Sequence, residues 1–325
     1  MSALYASVDL GGTKIAGALA RGGDEILAEE RVPTHSHEGP QAVLERIAAL
    51  VLELSQRAGE SPSAVGMGVP GLVDTAAGVT KFCPNLPTQW RNVPAGEILA
   101  DRIGCPVFLL NDARTATLGE FTFGHGRGVD TMVFFTVGTG IGGGIVVDGK
   151  LRLGPMDAAG ELGHQTLQPD GPLCGCGNRG CLESLASGPA MVAEGVRLLH
   201  SGLAPLLFEM VSGNAAAVTP KEMGAAARAG DRLVEAAIDR CAGWLGIGVA
   251  NLVTALHPDV VVIGGAVAGL DDLLLKPLRA VVRERVRMFP VDGVRIERSL
   301  LGEKAGLLGG IALAASRLKS VSAAG

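Results

Sequence analysis

Two short stretches of this chain answer each other: DLGGTKIAG at residues 9–17 and TVGTGIGGG at residues 136–144. In each, a glycine-rich turn separates two short apolar runs, the pattern of a tight hairpin. A repeat of this kind constrains the fold more than any single element, because it implies one structural plan used twice. The flanking order supports it. In the first half, apolar runs at 5–10, 15–20 and 26–32 read as three antiparallel strands. They are followed by an amphipathic helix over 41–57, in which Val43, Leu44, Ile47, Val51 and Leu54 keep the 3.6 period. A strand at 64–69, a short helix at 96–103, a strand at 106–110 and a helix from Asn111 complete a βββαβαβα order. In the second half, strands at 131–137, 144–147 and 150–153 precede a long insertion over 154–188 and a set of helical segments. A strand at 259–263, a helix at 270–287, a strand at 293–297 and a last helix at 303–318 follow. The expectation is two similar α/β lobes facing each other across a cleft, with a glycine turn from each lobe at that cleft.

Composition narrows the class. The 325 residues are enough for two lobes with separate cores, and 47% hydrophobic against 19% charged residues removes disorder. The 48 glycines and 17 prolines stay below the low-complexity range, so the glycines have specific places. Only 3% of residues are aromatic and the net charge is −5, which argues against a nucleic-acid binder. The start has neither a basic nor an apolar leader segment. The apolar stretch 241–256 is closed by Arg240 and by His257, Pro258 and Asp259, and reads as a buried helix rather than a membrane span. With no export signal, the six cysteines read as reduced thiols or metal ligands and the compartment as cytoplasmic.

A glycine turn aims several backbone N–H groups at one point, as phosphate oxygens require. Gly11, Gly12 and Thr13, with Lys14 as a cation, supply such a turn in the first half; Gly138, Thr139, Gly140, Gly142 and Gly143 supply it in the second. Plain hairpin turns are the bland alternative, and the equivalent positions in a repeat favour phosphate. Gly138, Gly140 and Gly143 also fit G-x-G-x-x-G, but a strand, Ile145 to Val147, follows instead of the helix a dinucleotide fold needs. No Walker-type motif is present.

Cys174, Cys176 and Cys181 fall within eight positions, ten residues after His164. Three thiolates and an imidazole complete a tetrahedral, closed, structural zinc site. Glu161 and Glu183 flank it, either to grip a polyhydroxylated ligand or as solvated loop charges. Cys83, Cys105 and Cys241 are isolated and read as core thiols. Asn111 and Asp112 close a strand and open a helix. They are either a helix cap or, at the carboxyl end of a strand in an α/β lobe, a carboxylate able to take a hydroxyl proton.

Along its whole length the chain resembles the ROK family of sugar kinases, within the actin, hsp70 and hexokinase-like superfamily, and among them the bacterial ATP-dependent glucokinases. The resemblance rests on DLGGTK at 9–14, GVPGLVD at 68–74, ND at 111–112, GTGIGGG at 138–144, ELGH at 161–164, CGCGNRGCLE at 174–183 and VVIGGAVA at 261–268. It implies a two-lobed α/β fold with a duplicated ribonuclease H-like βββαβαβα plan. The first lobe would cover 1–112, completed by the C-terminal helix 303–325, and the second 113–302 with the zinc loop 154–188. It implies Asp112 as catalytic base and Asn85, Asn111, Asp112, Glu161, His164 and Glu183 as sugar ligands. Zinc would be held by His164, Cys174, Cys176 and Cys181, and phosphates by Gly11, Gly12, Thr13, Lys14, Gly138, Thr139 and Gly140. Gly264 and Gly265 would lie near adenine, and Asp9 would act through magnesium. In the family an asparagine is followed closely by a tryptophan, whereas four residues separate Asn85 from Trp90 here. The implied reaction is transfer of the γ-phosphoryl group of MgATP to the 6-hydroxyl of glucose, by a homodimer or homotetramer that binds neither nucleic acid nor membrane. N-acetylmannosamine or N-acetylglucosamine kinase is the alternative enzyme. A ROK repressor would need an amino-terminal helix-turn-helix, for which the first strand leaves no room. A non-catalytic sugar sensor would not need Asp112 and both phosphate turns.

Overall fold

A computed structural model describes residues 3–324. The chain divides into two compact units. The first consists of Met1–Arg127, Leu151–Ala159 and Leu301–Gly325; the second of Gly128–Lys150 and Gly160–Leu300.

In the first unit β1 (Tyr5–Leu10), β2 (Lys14–Ala20) and β3 (Ile26–Pro33) form an antiparallel meander, and α1 (Pro40–Ala58) leads to β4 (Ala64–Val69). Helix α1 begins with Pro40 in its first turn and ends at Gly59 in the left-handed region, and Val43, Leu44, Ile47, Val51 and Leu54 are its buried stripe. A small hairpin, β5 (Leu72–Asp74) and β6 (Val79–Phe82), follows, then α2 (Ala95–Ile103), β7 (Val107–Asn111) and α3 (Asp112–Phe123). The hairpin has no counterpart in the sequence reading, because three and four residues are too few to show a period. Sheet order is β3-β2-β1-β4-β7, with β1, β4 and β7 parallel. The parallel strands are nearly continuous apolar runs, as strands covered on both faces must be.

The second unit repeats this plan. β8 (Met132–Val137), β9 (Ile141–Val147) and β10 (Lys150–Leu151) form the meander. Helices α4 (Leu182–Ala186), α5 (Gly188–His200), α6 (Pro205–Met210), α7 (Pro220–Arg228) and α8 (Arg232–Leu256) precede β11 (Val260–Gly264), α9 (Asp272–Arg285) and β12 (Arg295–Arg298). The order β10-β9-β8-β11-β12 is that of the first sheet, element for element. The 241–256 stretch is the C-terminal part of α8, buried along one face with Asn251, Thr254 and Ala255 exposed, and among the described residues no helix is long and apolar enough to cross a membrane.

The chain then returns to the first unit in α10 (Ala305–Ala324), which packs on α3, β1 and β4. This contact moves the division between units. The expected boundary after Asp112 falls instead after Arg127, because α3 lies against α10 at a distance only glycine permits. A Cβ on Gly309 would stand 1.8 Å from the Thr115 carbonyl oxygen, and one on Gly119 would stand 2.3 Å from that of Ala305. The expected single insertion 154–188 is divided as well: residues through Ala159 belong to the first unit and the cysteine-bearing part to the second.

Candidate active site

In the first unit, the carboxyl ends of β1, β4 and β7 share one edge of the sheet, with Asp9, Gly68 and Leu110 in register across it. The turn after β1 is closed by Gly11 N–H donating to the Lys14 carbonyl at 2.9 Å. It is anchored from outside by the Thr34 hydroxyl, which donates to the Gly11 carbonyl at 2.7 Å. Gly12, Thr13 and Lys14 are left exposed, and the backbone of Gly12 backs onto the Asn85 carbonyl. Asn85 is itself exposed, and with four residues between it and Trp90 its backbone still lies beside this turn.

Asp9 and Asp112 stand together. Burial pushes the Asp9 carboxyl to about 6, the neighbouring Asp112 carboxylate adds to the rise, and Arg31 opposes it. Asp112 also contributes, after burial, to pushing the Cys83 thiol up to about 12, so that cysteine is inert as a nucleophile. Asn111 caps α3: its side-chain oxygen accepts from the N–H groups of Ala113 and Arg114, and its amide donates to the Gly71 carbonyl at 3.0 Å. Asp112, the first residue of α3, also accepts from the Ala113 N–H through Oδ1, at 2.8 Å.

Sequence reasoning missed Arg114. It is 2% exposed, donates to the Asn111 side-chain oxygen at 2.7 Å, and grips the carbonyls of Ala158 and Ala159. The Asp157 carboxylate accepts from both the N–H and the hydroxyl of Thr75, which pins the same segment again. An arginine at i+3 from a cap carries no mark in sequence that says it is buried.

In the second unit, Gly138 N–H donates to the Gly140 carbonyl at 2.9 Å and closes the turn between β8 and β9. Gly264 ends β11 opposite Thr136, and Gly265, at φ +82°, lies so close to Val137 that any side chain would meet its backbone. His164, Cys174, Cys176 and Cys181 present four ligand atoms within 4.8 Å of one another. The Cys176–Cys181 Sγ separation is 3.7 Å and the Cys174 Sγ to His164 Nδ1 separation 3.6 Å. Zinc with tetrahedral bonds of about 2.3 Å to sulfur and about 2.0 Å to nitrogen requires edges of about 3.7 and 3.5 Å, so the donor set fits that ion. With Nδ1 turned to the thiols, Nε2 faces the Glu161 carboxylate at 3.9 Å. Glu183 does not point into solvent: its Oε2 accepts from Ile141 N–H at 2.8 Å, and its Oε1 lies 3.8 Å from Cys174 Sγ.

The two sheets of identical order, each with a glycine turn after its first parallel strand, define an α/β fold of the kind shared by sugar kinases and actin-like ATPases. Residues 5–317 match the ROK family, and the chain belongs to it. It is 39% identical to a glucokinase of Thermotoga maritima, covering 96% of this chain and 97% of that one, and 36% identical to a glucokinase of Streptomyces coelicolor with the same coverage. A xylose repressor of Caldicellulosiruptor bescii is 33% identical over 96% of this chain but 78% of its own length. Among solved structures, a ROK glucokinase from Streptomyces griseus in complex with glucose and AMPPNP superposes with a TM-score of 0.84 at 35% identity, covering 96% of this chain and 99% of that one.

Proposed function

We propose that this chain is a glucokinase that transfers the γ-phosphoryl group of ATP to the 6-hydroxyl of glucose, with Asp112 as general base. The observation that carries the base assignment is the position of Asp112 at the carboxyl end of β7, beside Asp9 and on the sheet edge that bears the first glycine turn. The relatives described above support the substrate pair. In the reaction Asp112 accepts the hydroxyl proton as the sugar oxygen bonds to the γ-phosphorus. The bond from that phosphorus to the β,γ-bridging oxygen breaks, and ADP leaves. Gly11, Gly12, Thr13 and Lys14, and Gly138, Thr139 and Gly140, direct N–H groups and a cation at the phosphates. Gly264 and Gly265 lie toward adenine. A partly buried carboxyl held near 6 beside a second carboxylate is the charge arrangement a divalent cation relieves, so Asp9 suits magnesium, which would supply charge neutralisation at the phosphates. Asn85, Asn111, Glu161, His164 and Glu183 hold sugar hydroxyls, and zinc on His164, Cys174, Cys176 and Cys181 keeps the imidazole in place.

Asp112→Asn keeps the shape and removes the base. In a coupled assay with ATP and glucose, kcat falls by roughly 10²–10⁴ while the glucose KM changes little; a near-normal kcat removes Asp112 from the role. Activity on N-acetylmannosamine in place of glucose identifies the alternative enzyme.

A further inference from the structure

The second glycine turn is gripped from outside by residues that follow the cysteine cluster, and the grip has a particular chemistry. Glu183 Oε2 accepts the N–H of Ile141, the first residue of β9 after the turn, at 2.8 Å. Five residues on, Gly188 N–H donates to the carbonyl of Gly138, the first residue of the turn, at 2.8 Å. Both ends of the turn are therefore tied to one short stretch, α4 and the start of α5. A third contact comes from the other side of the cluster. Gly163, next to His164, lies so close to the Ile141 carbonyl that a Cβ there would stand 2.0 Å from its oxygen.

The same carboxylate explains the middle of the turn. A Cβ on Gly140 would stand 2.4 Å from Glu183 Oε2. Gly140 has a φ that other residues tolerate, so the glycine there makes room for a side chain of this protein rather than for an unusual backbone. Glu183 is a sugar ligand in the proposed function. Its bond to the backbone of the turn concerns the other substrate.

We propose that Glu183 is a positioning residue for the nucleotide: through the Ile141 N–H it sets the shape of the Gly138–Gly140 turn and with it the affinity for the phosphates of ATP. This rests on the reading of the turn as a phosphate site. A carboxylate bonded to a backbone N–H contributes about 1.5–3 kcal/mol, which is roughly 10- to 100-fold in an equilibrium constant.

The test uses the full-length chain and measures MgAMPPNP binding by calorimetry without sugar, together with amide hydrogen exchange over residues 138–143. Glu183→Ala weakens MgAMPPNP binding at least about tenfold and speeds exchange at Ile141. Glu183→Gln retains an oxygen acceptor and stays within about threefold of the parent. Gly140→Ala, which displaces the carboxylate while leaving Glu183 in the chain, reproduces the alanine variant. Unchanged nucleotide affinity and unchanged Ile141 exchange in Glu183→Ala, with only the glucose KM raised, overturns the proposal. Should Glu183→Ala not fold, equal affinity of Gly140→Ala and the parent overturns it in the same way. A parent chain that binds no MgAMPPNP refutes the phosphate reading itself, and the exchange rates distinguish that failure from this one.

Discussion

Asp9 carries a carboxyl held well above its ordinary range. Its carboxyl is pushed from 3.8 to about 6, first by burial and then by Asp112. A group raised in the folded state binds its proton more tightly there than in the unfolded chain. Its contribution to stability is therefore full below pH 3.8 and is lost as pH rises through 6. The difference corresponds to roughly 3 kcal/mol. In magnesium-free buffer Asp9→Asn should then be more stable than the parent at pH 7, with the gap closing toward pH 4, as read from urea unfolding at each pH. A gap that widens on acidification contradicts the assignment. With Asp9 acting through magnesium as proposed, protons and the cation compete for its carboxyl, so the magnesium concentration needed for half-maximal activity should rise as pH is lowered toward and below 6. Motif spacing placed Asp9 next to a glycine turn, but its nearness to Asp112, 103 positions later, is a product of β1 and β7 lying in one parallel sheet with β4 between them.

At the scale of elements, α3 and α10 pack against each other and against β4 with backbone on backbone. Gly66, Gly119, Gly309 and Gly310 line this contact, and a Cβ on Gly66 would stand 2.0 Å from the Gly310 carbonyl oxygen. Glycine-rich turns were the places the sequence singled out for this residue; these four glycines have a different purpose, close approach of backbone to backbone. Gly309→Ala has no flexible neighbour to yield, since the obstruction is the Thr115 carbonyl. It should destabilise the protein by about 1–3 kcal/mol in denaturant unfolding, with α3 and the Asp112 at its first turn displaced. Alanine at Gly138, where a Cβ would meet nothing within 4 Å, is the control. An equal loss in both variants contradicts the packing account. The β1–β2 and β8–β9 hairpins were legible from the glycine turns between their apolar runs, although β9 begins at Ile141 rather than at 144, and α1 from a period that runs over many residues. The β5–β6 hairpin and the short helices α4 and α6 were not, since they are held by tertiary contacts rather than by pattern.

At the scale of the whole molecule each unit has its own hydrophobic core, and the cysteine cluster belongs wholly to the second. Chelation of a metal held by His164, Cys174, Cys176 and Cys181 should therefore release hydrogen-exchange protection in residues 160–188 while β1, β4 and β7 retain theirs. Uniform loss in both units would show that the cluster is not local in its effect. What the sequence determined by itself was whatever is written in neighbouring residues: the two glycine turns and their equivalence, the strand and helix periods, the spacing of three cysteines and the Asn-Asp pair at a strand end. These are short-range, and the physics that produces them is local. The tertiary structure decided what depends on residues far apart in the chain. It assigned α3 and residues 151–159 to the first unit, buried Arg114 against Asn111, and raised the Asp9 carboxyl. It also turned Glu183 onto the Ile141 N–H, because backbone approach and desolvation are properties of packing that no window of sequence contains.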